Sequence, residues 1–182
     1  IKRERSEYDR NYDSGISTVK KFVEDFKKES SDEATVGIAI PGYSSKETGL
    51  VHNANSDWLN NKHFKKDLEK NLNCEVKIMN DANCFTLSEA IDGAGKNFKS
   101  VFGIIIGTGF GSGLSYKKEV IEGANQVAGD WGHQPLPYPT EDEKNSKIKC
   151  TLPTCGRPLC AEQFVSGTGF AKNFNLKHNT NY

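Results

Sequence analysis

Apolar residues recur at three- and four-residue spacing after Ser14: Ile16, Val19, Phe22, Val23 and Phe26 share one face, and Lys and Glu fill the others. That period predicts an amphipathic helix from Ser14, stopped by Ser30-Ser31-Asp32. The pattern then changes. Val36-Gly37-Ile38-Ala39-Ile40 is a short unbroken apolar run ahead of Pro41-Gly42, which predicts a buried strand entering a turn. Residues 43–60 are rich in Ser, Asn and Gly and read as a long loop, and such a loop inside a compact domain is usually functional. Phe64, Leu68 and Leu72 mark a second helix, 75–79 a strand, 80–83 a turn and 84–91 a third helix.

Gly93-Ala94-Gly95-Lys96 reads as a domain seam. Beyond it, 101–106 is a strongly β-forming strand that runs into Gly107-Thr108-Gly109-Phe110-Gly111-Ser112-Gly113. Residues 114–116 and 120–121 flank Lys117-Lys118-Glu119 and predict a hairpin. Residues 134–149 carry three prolines and a charge run, so they read as a surface excursion; 162–174 reads as a helix interrupted by Gly167 and Gly169. Alternating strands and helices predict an α/β architecture.

The chain has 182 residues with 24 basic and 24 acidic side chains, so no net field draws it to nucleic acid or anionic membrane. No apolar run approaches the roughly 18 residues of a membrane helix. The opening Ile1-Lys2-Arg3-Glu4-Arg5 is charged, unlike a signal peptide, and a cytoplasmic location is the default expectation. Five cysteines are present, and Cys150, Cys155 and Cys160 are clustered. Without secretion signals, such a cluster reads as metal binding before disulfides.

Four constellations carry candidate chemistry, each beside a plainer reading. The glycine-rich segment 107–113 follows a strand, where glycine lets backbone N–H groups approach phosphate oxygens. The next residues read as a second strand, which disfavours a dinucleotide fingerprint and favours a phosphate-gripping hairpin. Asp81 follows an apolar strand, a position from which a carboxylate can accept a hydroxyl proton, or simply cap the next helix. His133, Cys150, Cys155 and Cys160 form a donor set suited to tetrahedral zinc, or a group of free thiols beside an ordinary histidine. Asp130, His133 and Glu162 suit sugar hydroxyls but also simple solvation. Asn53, Asn55 and Trp58 invite sugar binding or packing in the same way.

Read together, these strings resemble the ROK (repressor, open reading frame, kinase) family. The matching residues are Val36–Gly42, Asn53 to Leu59, Asn80-Asp81-Ala82-Asn83-Cys84, Ile106 to Gly113, Ala128 to His133, Cys155-Gly156 through Glu162, and Ser166 to Phe170. Trp131 before Gly132-His133, with Pro135-Leu136-Pro137 after it, most resembles the bacterial fructokinase and mannokinase branch. The resemblance implies an actin-like (ribonuclease H-like), two-lobed α/β sugar kinase fold, incomplete at both termini. Residues 1–95 would belong to the N-terminal lobe and 96–182 to the C-terminal lobe. The family's opening Asp-x-Gly-Gly-Thr-Lys strand and its later adenosine-binding glycines fall outside the sequence.

The implied activity is ATP-dependent phosphorylation of a hexose, first of all fructose to fructose 6-phosphate. N-acetylglucosamine kinase, glucokinase and a sugar-responsive repressor are the alternatives. Asp81 would be the catalytic base. Gly42, Asn55, Asn80, Asp130, His133 and Glu162 would line the hexose beside it. Gly107, Thr108, Gly109 and Gly111 would contact the nucleotide phosphates. His133, Cys150, Cys155 and Cys160 would hold a structural Zn²⁺, and Mg²⁺ would accompany ATP. The expected partners are the hexose and ATP, with a homodimer for the whole protein and neither nucleic acid nor membrane. Three positions depart from the family pattern: Asp130 stands where the family has Glu, Leu159 stands where it has Gly, and extra residues displace Cys150.

Overall fold

The computed structural model describes residues 9–30, 35–146, 148–150 and 155–181. Of the expected helix stop Ser30-Ser31-Asp32, Ser30 is extended and ends the first helix with its N–H on the Phe26 carbonyl, and the other two residues lie outside the described residues. The chain forms two compact units, 1–81 and 82–182, which divide ahead of the glycine seam at 93–96. No helix among the described residues is long and apolar enough to cross a membrane.

In the first unit, α1 (Tyr12–Glu29) begins two residues before the expected Ser14. The reason is Asn11, whose side chain accepts the Ser14 N–H at 2.9 Å and so satisfies an otherwise orphan donor. β1 (Val36–Ile40) pairs in parallel with β4 (Val76–Asn80), from Val36 opposite Val76 to Ile40 opposite Asn80. Parallel pairing needs a crossover. It is supplied by the hairpin of β2 (Tyr43–Ser44) and β3 (Val51–His52), a 3-10 turn at Asp57–Leu59, and α2 (Phe64–Leu72). The stretch 43–60 is therefore no open loop. Val51, Ala54 and Leu59 are buried in it, and the Asn60 side chain bonds both the N–H and the carbonyl of Ala54.

The core of this unit joins Ile16, Ile40, Val51, Ala54, Leu59, Phe64, Leu68, Leu72 and Val76. Leu68 is fully buried, which stabilises by about 2 kcal/mol relative to exposure. β1 is covered on one face only: Val36, Ile38 and Ile40 turn inward while Gly37 and Ala39 are exposed. A continuous apolar run thus acts as an alternating strand. Tyr12 Oη donates to Asp67 Oδ2 at 2.6 Å, pinning α1 to α2.

In the second unit, β5 (Ser100–Ile106), β6 (Phe110–Tyr116) and β7 (Glu119–Val120) form an antiparallel sheet in that order. The expected hairpin at Lys117-Lys118 is present, with φ of 51° and 67° at the two turn residues. α3 (Asp81–Ile91) follows β4 directly, so the expected turn at 80–83 is already strand end and helix start. From Ala82 onward α3 belongs to this unit and buries Ala82, Asn83, Thr86 and Ala90.

The sheet meets α3 through glycines. A Cβ at Gly113 would stand 2.7 Å from Thr86 Oγ1, and one at Gly111 would stand 3.5 Å from Ala82 Cβ. The expected helix over 162–174 is broken in two: α5 (Glu162–Val165) and α6 (Gly167–His178). Ser166 is extended and its side chain accepts the Gly169 N–H at 3.0 Å, so it ends one helix and caps the next. The excursion 134–149 carries a one-turn helix, α4 (Glu141–Lys144), with a Thr140–Glu143 capping box.

Candidate functional site

In the first unit the chemistry gathers at the C-terminal end of β4. Gly42 has φ +71°, and a Cβ there would stand 2.6 Å from the Ala54 nitrogen, so only glycine fits this close approach. The Gly42 carbonyl accepts the Asn80 side-chain N–H at 3.0 Å. Asp81 follows at once, exposed in the first turn of α3, where a negative side chain complements the helix dipole. Capping and chemistry are therefore compatible at this residue. Asn55 is exposed and Trp58 is half-buried, packed edge-on to Phe64 at 6.4 Å.

In the second unit the glycine-rich segment divides by role. Gly107, Thr108 and Gly109 form the turn between β5 and β6, closed by Gly107 N–H to the Gly109 carbonyl at 2.9 Å. Gly111 and Gly113 lie within β6, on the side that faces α3. An open depression of about 530 Å³ adjoins the turn, lined by Gly107, Thr108, Gly167, Thr168 and Lys172 among others. The glycine turn, the start of α6 and a lysine therefore border one open surface.

The donor set converges. One ligand atom from each of His133, Cys150, Cys155 and Cys160 lies within 4.8 Å of every other. His133 Nδ1 is 3.5 Å from both Cys150 Sγ and Cys160 Sγ, and the two sulfurs are 3.6 Å apart. A tetrahedral zinc with metal–sulfur bonds of about 2.3 Å sets its donors roughly 3.5–3.8 Å apart. The residues present fit that ion, and Cys150 joins the cluster despite the extra residues that displace it in sequence. Burial pushes the Cys160 thiol up, with the Glu162 N–H pulling the other way.

The base of this cluster is braced by the proline string. Pro135 forms a bridge with Cys160, and Leu136 N–H donates to the Leu159 carbonyl at 2.7 Å. Glu162 is buried beside it. Its Oε1 lies 3.3 Å from Cys150 Sγ, and its Oε2 accepts the Phe110 N–H at 3.0 Å. Asp130 is exposed, and its Oδ1 accepts the Gly132 N–H at 3.3 Å.

Sequence reasoning passed over Ser112, whose hydroxyl donates to the Gly129 carbonyl at 2.7 Å and accepts the Trp131 N–H at 2.8 Å, fastening 129–131 to β6. It also passed over Lys172 and the amide of Phe110. None of these carries a local signal, since each acquires its role from a partner far along the chain.

Three comparisons bear on this arrangement. The model of the ROK family matches residues 2–181. The chain is 39% identical over 160 residues to an N-acetyl-D-glucosamine kinase of Vibrio cholerae, covering 88% of this chain and 53% of that protein. It is 37% identical over 166 residues to an N-acetylgalactosamine kinase of a Shewanella strain, covering 89% of this chain and 52% of that protein. The chain thus spans about half the length of the curated relatives it matches. The crystal structure of a ROK hexokinase from Thermus thermophilus superposes with a TM-score of 0.78 at 20% identity, over 94% of this chain and 54% of that one. At that identity the likeness shows the fold, which is the actin-like α/β architecture expected from the sequence.

Proposed function

The chain belongs to the ROK family, and from that premise we propose that it is part of an ATP-dependent kinase for an N-acetylhexosamine, with N-acetylglucosamine as the first substrate to try. The observation that carries the kinase reading is the presentation of Asp81: exposed, at the start of a helix, directly after a strand end held by the Asn80–Gly42 bond. The relatives named for N-acetylglucosamine and N-acetylgalactosamine support the substrate class.

Fructose, the substrate expected first, gives way to the alternative. That expectation leaned on Trp131 and on Pro135-Leu136-Pro137. The proline string braces the cluster at Leu159 and Cys160 only through backbone pairing by Pro135 and Leu136, which carries no information about a sugar.

Each part has a role in the proposal. A sugar hydroxyl is a poor nucleophile at neutral pH, and Asp81 accepts its proton as the hydroxyl oxygen bonds to the terminal phosphorus of ATP and the bond to the bridging oxygen breaks, releasing ADP. Asn80 orients the sugar, with Gly42 and Asn55 as further hexose contacts. The turn 107–109 grips the nucleotide phosphates through backbone N–H groups, with Gly111 supporting it from β6. His133, Cys150, Cys155 and Cys160 hold zinc. With all four positions taken by protein, that ion supplies folding energy and orientation rather than a catalytic water.

The test is a substrate panel on the full-length protein. N-acetylglucosamine, N-acetylgalactosamine, glucose and fructose are compared by kcat/KM with ATP. The highest value should belong to an N-acetylhexosamine; preference for fructose overturns the substrate class, and no phosphorylation of any sugar overturns the kinase.

A further inference from the structure

One short stretch of chain grips the glycine turn at both ends. Glu162 Oε2 accepts the Phe110 N–H at 3.0 Å on one side. Gly167 N–H donates to the Gly107 carbonyl at 2.8 Å on the other. Only α5 and Ser166 separate these two anchors, and Ser166 N–H closes α5 on the Glu162 carbonyl at 3.3 Å. A Cβ at Gly109 would stand 2.8 Å from Glu162 Oε2, so the bare glycine is what admits the carboxylate under the turn. Glu162 is only 5% exposed. Losing that acceptor would leave a buried N–H without a partner.

The same stretch begins at the thiol cluster. Cys160, one of its four donors, stands two residues before Glu162. The Glu162 N–H donates to the Gly132 carbonyl at 2.9 Å, beside the His133 donor, and Oε1 lies 3.3 Å from Cys150 Sγ. Thus Glu162 touches the metal-binding residues with its backbone and one oxygen, and the turn with the other oxygen.

We propose that Glu162 is a positioning residue that couples the metal cluster to the phosphate-gripping turn. Order in the cluster sets the path of 160–167, and that path holds 107–110 from both ends in the form that binds nucleotide. This role is separate from a hexose contact, because it is exerted through the Phe110 amide. It rests on reading the turn as the nucleotide-phosphate site. It makes metal loss a defect in nucleotide binding as well as in folding.

The test uses the full-length protein and two readouts, hydrogen exchange across 107–110 and MgADP affinity by calorimetry. Wild type, chelator-stripped wild type, E162A and E162Q are compared. Metal removal and E162A should each speed exchange in the turn and weaken MgADP about tenfold or more, the scale of one lost buried acceptor. E162Q retains an oxygen that can accept the Phe110 N–H and should stay within about threefold of wild type on both readouts. Unchanged exchange in E162A and in stripped protein overturns the clamp. Faster exchange with unchanged MgADP affinity overturns its link to the nucleotide. If the wild type binds no MgADP, the kinase reading fails, and the exchange data alone still decide whether the clamp exists. Should E162A fail to fold, metal removal with E162Q as the control makes the same comparison.

Discussion

The side chain of Asn80 donates to the Gly42 carbonyl at 3.0 Å, joining positions 38 residues apart. The bond ties the end of β4 to the turn after β1. The next residue, Asp81, is therefore presented by a tethered strand end and a helix start, the sort of support a proton acceptor needs.

Asp81→Asn should lower kcat by roughly 10²–10⁴-fold, the usual contribution of a general base, while binding of sugar and nucleotide changes little. Steady-state assays with calorimetry on the full-length protein separate the two. A kcat within a few-fold of wild type would remove Asp81 from the chemistry.

Each of Cys150→Ser, Cys155→Ser and Cys160→Ser should lose bound zinc, since all three sulfurs lie with His133 Nδ1 in one tetrahedral-sized group. Metal content by plasma mass spectrometry reads this directly. Retention of zinc by Cys150→Ser alone would mean that the displaced cysteine is a bystander.

Zinc affinity should rise with pH by at least about tenfold per unit through neutrality, because thiols must shed protons to bind metal. The sign follows from the donors themselves, since each thiol releases its proton as it takes the metal. Chelator competition at several pH values measures the slope; a flat profile contradicts thiolate ligation.

Tyr12 links the two helices of the first unit. Its hydroxyl is raised above the ordinary tyrosine range, first by burial and then by the hydrogen bond to Asp67. A folded value above the unfolded one stabilises fully below about pH 10 and is lost as pH rises through the folded value. Tyr12→Phe should cost about 1 kcal/mol at neutral pH and lessen the alkaline decline, as read by urea unfolding.

Gly103→Ala should destabilise the second unit by about 1–3 kcal/mol, since the new methyl would run into Thr86 Oγ1 and stand 2.9 Å from Thr86 Cβ. Adding Thr86→Ala should recover part of the loss. Strict additivity of the two changes in thermal unfolding would show that the helix and the sheet do not meet there.

The elements themselves were legible because hydrophobic period is local. Ile16, Val19 and Val23 repeat at helical spacing whatever lies around them, and α1 and α2 appear where that period predicts. Boundaries were less legible where a cap decided them. Asn11 extends α1, and Ser166 breaks a stretch that reads as one helix into α5 and α6. The run 43–60 read as loop because its two-residue strands are too short to show alternation.

By itself the sequence determined the inventory: an α/β chain, a glycine-rich turn after a strand, an acidic residue after another, and a donor set of one imidazole and three thiols. These follow from residue type and short-range spacing, which covalent geometry converts into structure. Only the tertiary structure decided which glycines serve the turn and which make room for α3. The same is true of Cys150 reaching the other donors, and of Glu162 reaching the Phe110 amide 52 residues away. Such pairings depend on how separate elements pack, and packing is a property of the whole unit that no local pattern encodes.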